Sequence, residues 1–457
     1  MEKKSVLGGK LPNLAGFDYY IGGIYVMQGY KPKNSSLRSS ASSPFVSEFD
    51  WRNRHGRNWM TPAKNQGCGD CWAFSAVGTT EAYVNLYYNQ LLNLDLSEQD
   101  VLSCSNAGSC GGGSIRGALE YVAMTGIVNE TCFEYAPAGN LPCSNKCPNP
   151  SEKIKIYWRY SLLNYLFFGP YIGSSNDDLK KKVIQSPMGF GIGTGTEDED
   201  WHHAVVLTGF KTIQAGDSVF IVSKEDTIRL EIITLGNPLI NEDAWILKNS
   251  WGTDWGDNGF GYVVSDWLEA VYIFESITSL KHTDADIVCE DRDGDGYYFW
   301  GVGPQNTPWD VLPPKPSTCP ACAPDEPDGD DSNPNLGPMD EYGNCADIST
   351  TPLVDNITTS QTWNTNRTLC EHIAIQSGVT LTITATVFLS NFTRITIKNG
   401  GKLILSGGTI DDGYVVAENG SELTITNNGK VLLGNYSKFD VQSGAVFDLI
   451  CGEVSLK

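Results

Sequence analysis

Four short segments recur near the C-terminal end of the chain: Ile375-Gln376-Ser377-Gly378, Ile397-Lys398-Asn399-Gly400, Ala417-Glu418-Asn419-Gly420 and Val441-Gln442-Ser443-Gly444. Their glycines are spaced by 20 to 24 residues, and alternating apolar stretches such as Leu403-Ile404-Leu405 and Leu423-Thr424-Ile425 follow them. A period of this length is one coil of a parallel β-solenoid. A lone coil cannot bury its apolar face, but stacked copies can, and four suffice. An immunoglobulin-like sandwich is the alternative, although it would not repeat Ser/Asn-Gly turns so regularly.

Three other segments carry residues suited to nucleophilic chemistry. They are Gln66-Gly67-Cys68-Gly69-Asp70-Cys71-Trp72-Ala73-Phe74-Ser75, then Trp201-His202-His203-Ala204-Val205-Val206, then Leu247-Lys248-Asn249-Ser250-Trp251-Gly252, the last followed by Trp255-Gly256-Asp257-Asn258-Gly259-Phe260. A thiol becomes a good nucleophile only as a thiolate. The run from Trp72 to about Asn89 has helical character, which puts Cys71 at a helix N-terminus, where the macrodipole favours negative charge. Together the segments resemble papain-like cysteine peptidases over residues 47–280, about half the chain.

That resemblance implies an α+β, two-lobed catalytic domain with a helical left lobe and a β-barrel right lobe. It implies hydrolysis of peptide bonds through a thioester, without a catalytic cofactor. Cys71 would be the nucleophile, and His203 the imidazolium that stabilises the thiolate and protonates the leaving amine. Asn249 would orient the imidazole and Trp251 would shield that bond. Gln66 and the backbone N–H of Cys71 would hold the oxyanion. His202 and His203 point to opposite faces if they lie on a strand, and His203 is the one that precedes Ala-Val, as the family histidine does. Gly112 and Gly113 would let substrate backbone lie alongside the chain, or serve a turn needing positive φ. Glu275 would reach the base of the S2 pocket and, with Glu197-Asp198-Glu199-Asp200, favour a basic P2 or P1 residue.

Two departures from the family pattern stand out. The loop between Gln66 and Cys68 is one residue short, and Asp70 occupies a position where a small neutral residue is common. A carboxylate there opposes thiolate formation unless it points into solvent. An inert binding or adhesion protein and a thioester-based transpeptidase remain as alternative readings.

At 457 residues the chain should hold two or three domains. Residues 1–46 read as a leader or propeptide remnant with a Ser-rich end, 47–280 as the peptidase, 281–350 as a small Asp/Cys-rich module and 351–457 as the solenoid. Ser97 to Asp100 resembles a capping box opening a helix. Beyond Pro187 the pattern turns to strands, with a hairpin insertion between Phe210 and Trp245. A net charge of −22 argues against nucleic acid and anionic membrane as partners. No apolar run is long enough to span a membrane. Met1-Glu2-Lys3-Lys4 resembles a signal n-region, but no apolar stretch follows it. The thirteen cysteines fit an oxidising, extracellular or periplasmic setting. The family resemblance pairs Cys68 with Cys110. It pairs Cys104 with Cys143 or Cys147, leaving Cys132 for the other. Cys319-Pro-Ala-Cys322 reads as disulfide halves or the start of a zinc site.

Asp291-Arg292-Asp293-Gly294-Asp295-Gly296 matches the start of a calcium loop, with oxygen ligands on Asp291, Asp293 and Asp295. Val302 stands where an EF-hand needs a carboxylate, so the segment looks more like the short loops of thrombospondin type 3 or dockerin modules. Asp325 to Asp331 could complete the coordination. Proteins or peptides are the expected substrates, and a surface or glycan ligand the expected partner of the C-terminal coils.

Overall fold

A computed structural model describes residues 43–137, 139, 141–148, 150, 153–157, 176–194, 201–222, 228–265, 279–281, 286–302, 314–321, 323–349, 353–389, 393–434 and 437–457. Glu275, the acidic run 197–200, Cys322 and the leader before Ser43 lie outside them. The described residues divide into two compact units. The first holds residues up to Asp286 with Val302 and Glu341–Asn344; the second holds Ile287–Gly301, Pro314–Asp340 and Cys345–Lys457.

In the first unit, helix α1 (Cys71–Tyr88) is the centre of the core. All of its residues except Tyr87 are buried, so it needs no polar face. Asn89 closes it in the left-handed conformation. Helix α2 (Glu98–Cys104) starts at Ser97, whose hydroxyl accepts from the Asp100 N–H at 2.9 Å. The reciprocal half of a capping box is not made. The Asp100 carboxylate turns instead to Tyr121, Lys146 and the Val128 N–H, while the Ser97 N–H donates to the Val128 carbonyl. Helix α3 (Ile115–Thr125) is capped in the same way by Ser114, and α4 (Asn176–Gln185) follows later.

The main sheet has seven strands: β1 (Glu48–Asp50), β2 (Met188–Thr194), β3 (Trp201–Thr212), β4 (Ser218–Val222), β5 (Ile228–Ile232), β6 (Asp243–Lys248) and β7 (Phe260–Ser265). The order is β1-β3-β6-β7-β4-β5, with β2 also on β3. Only the β7–β4 pair is parallel. The insertion after Phe210 is the β4–β5 hairpin, as expected. Strand β7 had gone unread because its turn-rich start, Trp255 to Gly259, hides it. Cys68–Cys110, Cys104–Cys143 and Cys132–Cys147 are disulfides, which settles the open choice between Cys143 and Cys147.

The second unit contains three parallel sheets of five strands each. Leu381, Leu403 and Leu423 stack in register, as do Ile383, Leu405 and Ile425, and all are fully buried. The recurring glycines form the coil corners. Gly378, Gly400 and Gly420 each donate to the next corner glycine at 2.9 to 3.1 Å, all with φ between 77° and 79°. An L side chain is strained in that conformation, which is why the period shows in glycine. One coil more than the four glycine copies is present. Val354–Ile357, Gln361–Trp363 and Arg367–Leu369 precede them, and their corner, Thr358-Thr359-Ser360, lacks the glycine. Cys289–Cys319 is a disulfide, so Cys319 does not serve zinc. Cys451 is an exposed free thiol. Among the described residues no helix is long and apolar enough to cross a membrane.

Candidate active site

Cys71 is the first residue of α1 and is fully buried. Its Sγ accepts from the Ala204 N–H at 3.4 Å, so the residue next to His203 touches the thiol. His203 lies on β3. Asn249 directly follows β6, which pairs antiparallel with β3, Val206 opposite Lys248. The pairing carries Asn249 to the imidazole, where His203 Nε2 meets Asn249 Oδ1 at 2.7 Å. An amide oxygen only accepts, so Nε2 carries hydrogen and Nδ1 of the neutral ring keeps its lone pair. Nδ1 is buried and has no hydrogen-bond partner among the described residues. Trp251 stacks on the His203 ring, centroids 4.8 Å apart and planes 22° from parallel.

Burial draws His203 down to about 4, and only the Asn249 hydrogen bond opposes it. Burial thus disfavours the imidazolium unless a nearby negative charge such as the Cys71 thiolate offsets it. The side chain of Gln66 is held from two sides. Its Nε2 donates to the Cys68 carbonyl at 2.7 Å, and its Oε1 accepts from Ser250 Oγ at 2.5 Å. Its second amide hydrogen remains for another acceptor. Ser250 was in a motif quoted from sequence but had been given no role.

Gly112 and Gly113 form a hairpin with Gly108 and Ser109, and the Cys68–Cys110 disulfide ties it to the start of α1. Gly112 has φ 131°, and a Cβ on Gly113 would lie 2.4 Å from the Trp72 indole. Packing and turn geometry both demand glycine here.

Asp70 does not point into solvent. It is fully buried, and Tyr135 donates its hydroxyl to Asp70 Oδ2 at 2.7 Å. Burial, partly offset by that bond, raises Asp70 to about 6. The folded chain thus holds this proton more tightly than the unfolded chain. The stability it contributes is complete below about pH 4 and is lost as pH rises through about 6. Asp70→Asn should match the wild type at pH 4 and be more stable at pH 7 by roughly 2 kcal/mol, less any cost of a buried amide. It should also move the acid limb of thiol alkylation to lower pH. Denaturant melts at the two pH values check this; equal stabilities at pH 7 would contradict it.

Behind Asn249 lies a charged layer that sequence reading did not single out. Glu81, fully buried on α1, accepts from Thr61, Lys64 and the Leu96 N–H. Lys248 Nζ donates to Thr61 at 2.8 Å. The lysine between the apolar run Ala244–Leu247 and Asn249 was the available signal.

In the second unit, Asp291, Asp293 and Asp295 come together with Asp328 and Asp331, which the sequence places more than thirty residues on. Burial and then the Asp293 and Asp291 charges raise Asp295 to about 8; burial and then Asp295 and Asp331 raise Asp328 to about 10.

Residues 45–277 match the papain family cysteine protease profile. Peptidase 1 of Euroglyphus maynei is 30% identical over 234 residues, which are 50% of this chain and 63% of that protein. Cathepsin Z of Onchocerca volvulus is 29% identical over 273 residues, 55% of this chain and 81% of that protein. The chain spans 63%, 58% and 58% of the Peptidase 1 proteins of E. maynei, Dermatophagoides pteronyssinus and Psoroptes ovis. Among solved structures, the digestive procathepsin L2 proteinase of Tenebrio molitor superposes with a TM-score of 0.34 and 23% identity, covering 51% of this chain and 67% of that one.

Proposed function

The chain belongs to the papain family of cysteine proteases, and from that premise we propose that it is an endopeptidase in which Cys71, His203 and Asn249 perform thioester acyl transfer. The observation that carries the reading is the 2.7 Å bond from His203 Nε2 to Asn249, under Trp251, which leaves Nδ1 as a buried lone pair on the residue next to Ala204, whose N–H meets Cys71 Sγ.

The neutral imidazole takes the thiol proton through Nδ1. The two charges formed then stabilise each other, and the dipole of α1 stabilises the thiolate. Attack on the scissile carbonyl carbon forms the C–S bond and moves the π electrons to oxygen. The Cys71 backbone N–H and the remaining Gln66 amide hydrogen would receive that oxyanion. The Nδ1 proton passes to the amine nitrogen as the C–N bond breaks. Water, deprotonated by His203, then cleaves the thioester and returns the thiol.

The disulfides support an extracellular or periplasmic setting. Glu275 and the acidic run 197–200 favour a basic P2 or P1 residue. A peptide library read by mass spectrometry tests both the activity and the preference. Internal cleavage with Lys or Arg enriched at P2 or P1 is expected. Absence of internal cleavage would overturn the endopeptidase reading; cleavage with only large apolar residues at P2 would overturn the preference.

A further inference from the structure

Five aspartates of the second unit meet from two loops, and their hydrogen bonds sort them into two kinds. Asp291 and Asp331 are occupied by protein donors. Asp291 accepts from the Gly294 and Gly296 N–H groups and faces His372 Nε2. Asp331 accepts from the backbone N–H and the guanidinium of Arg292 at 2.6 and 2.5 Å.

Asp293, Asp295 and Asp328 differ. In each, Oδ1 is held by a backbone N–H two residues on, at 2.7 to 3.2 Å. In each, Oδ2 is buried without a hydrogen-bond partner among the described residues. Asp295 and Asp328 are 1% and 2% exposed. One carboxylate oxygen from each of the three lies within 4.8 Å of the other two. Two oxygens bound to one calcium at about 2.4 Å can be at most about 4.8 Å apart, so one ion can reach all three.

We propose that Asp293, Asp295 and Asp328 bind one Ca2+ ion, with Asp291 and Asp331 shaping the loops around it. The ligand set shifts by one from the Asp291, Asp293, Asp295 series read from sequence. The reason is that His372 and the Gly294 and Gly296 N–H groups occupy Asp291, whereas Asp328 presents an uncommitted oxygen. Gly294 and Gly296, at φ 86° and 101°, give the sharp bend that aims the carboxylates inward. An all-oxygen set on loops suits calcium better than zinc or copper, and backbone carbonyls and water would complete its six to eight ligands. The ion would lock the loop that closes on Cys289, Tyr298 and Trp300. Its N-terminal arm is held to the coils by Arg394, which donates to the Asp291 carbonyl at 2.7 Å.

The test uses the full chain as Cys71→Ala, to prevent self-cleavage, stripped with chelator and titrated calorimetrically with CaCl2. One ion per chain with Kd below about 1 mM is expected. Saturation should raise one unfolding transition by on the order of 5 °C. Asp328→Asn should weaken binding at least tenfold, and Asp325→Asn, in an exposed residue of the same stretch, should leave it unchanged. No binding at millimolar calcium, or Asp328→Asn binding like its parent, overturns the proposal. If Asp328→Asn fails to fold, the stoichiometry and melting of the parent still decide.

Discussion

Cys71→Ala should abolish peptide hydrolysis, with kcat/KM falling roughly 10⁴-fold or more, while the fold persists. Both halves of the expectation come from where the residue sits. The thiol, first residue of α1, is the group that would form the covalent acyl intermediate. Its side chain is small, and its Sγ accepts a long bond from the Ala204 N–H at 3.4 Å. Truncation therefore deletes the reaction and leaves the packing of Trp72 and Phe74 in place. The measurement is turnover of a fluorogenic peptide beside a thermal melt. A variant that keeps a tenth of wild-type turnover would exclude the mechanism.

His203→Ala should cost nearly as much, roughly 10³-fold or more in kcat, because the ring takes the thiol proton and then gives one to the leaving amine. His202→Ala should be far milder, within about tenfold by the same comparison. The ring that meets Asn249 is that of His203. The wild-type profile should also reflect the buried ring. With His203 drawn down to about 4, its folded form stays neutral where the unfolded histidine protonates. This group's stability contribution is full above about pH 6.5 and is lost as pH falls towards 4. Kinetics of both alanine variants from pH 4 to 8 check the assignment; the reverse order of damage would move the base to His202.

Much of this was legible in the chain because the chemistry is local to short motifs. Cys71 at a helix start, the His203-Ala-Val order and the Asn249-Ser250-Trp251 run need no tertiary knowledge. The coil period was legible because glycine must stand at a left-handed corner, and it failed for the first coil because that corner has none. What escaped were properties set by burial. Asp70 looks like a surface acid in sequence, but Tyr135, sixty-five residues on, encloses it. The desolvation of His203 is likewise set by the fold and not by its motif. Glu81 reads as the one charged residue of a mostly apolar helix, and only the fold brings Thr61, Lys64 and Leu96 to it. Asp328 could not be chosen over Asp291 without seeing which oxygens His372 and the loop amides occupy.

The most direct test of the central claim is covalent labelling of the whole chain with an epoxide-type thiol reagent, followed by peptide mapping. Cys451 provides an internal competitor, since its thiol is exposed and free whereas Cys71 is buried at the head of α1. A thiolate formed by transfer to His203 should react at Cys71 first, one label per chain, and activity should fall in proportion. Full labelling at Cys451 with Cys71 unmodified and hydrolysis intact would contradict the account.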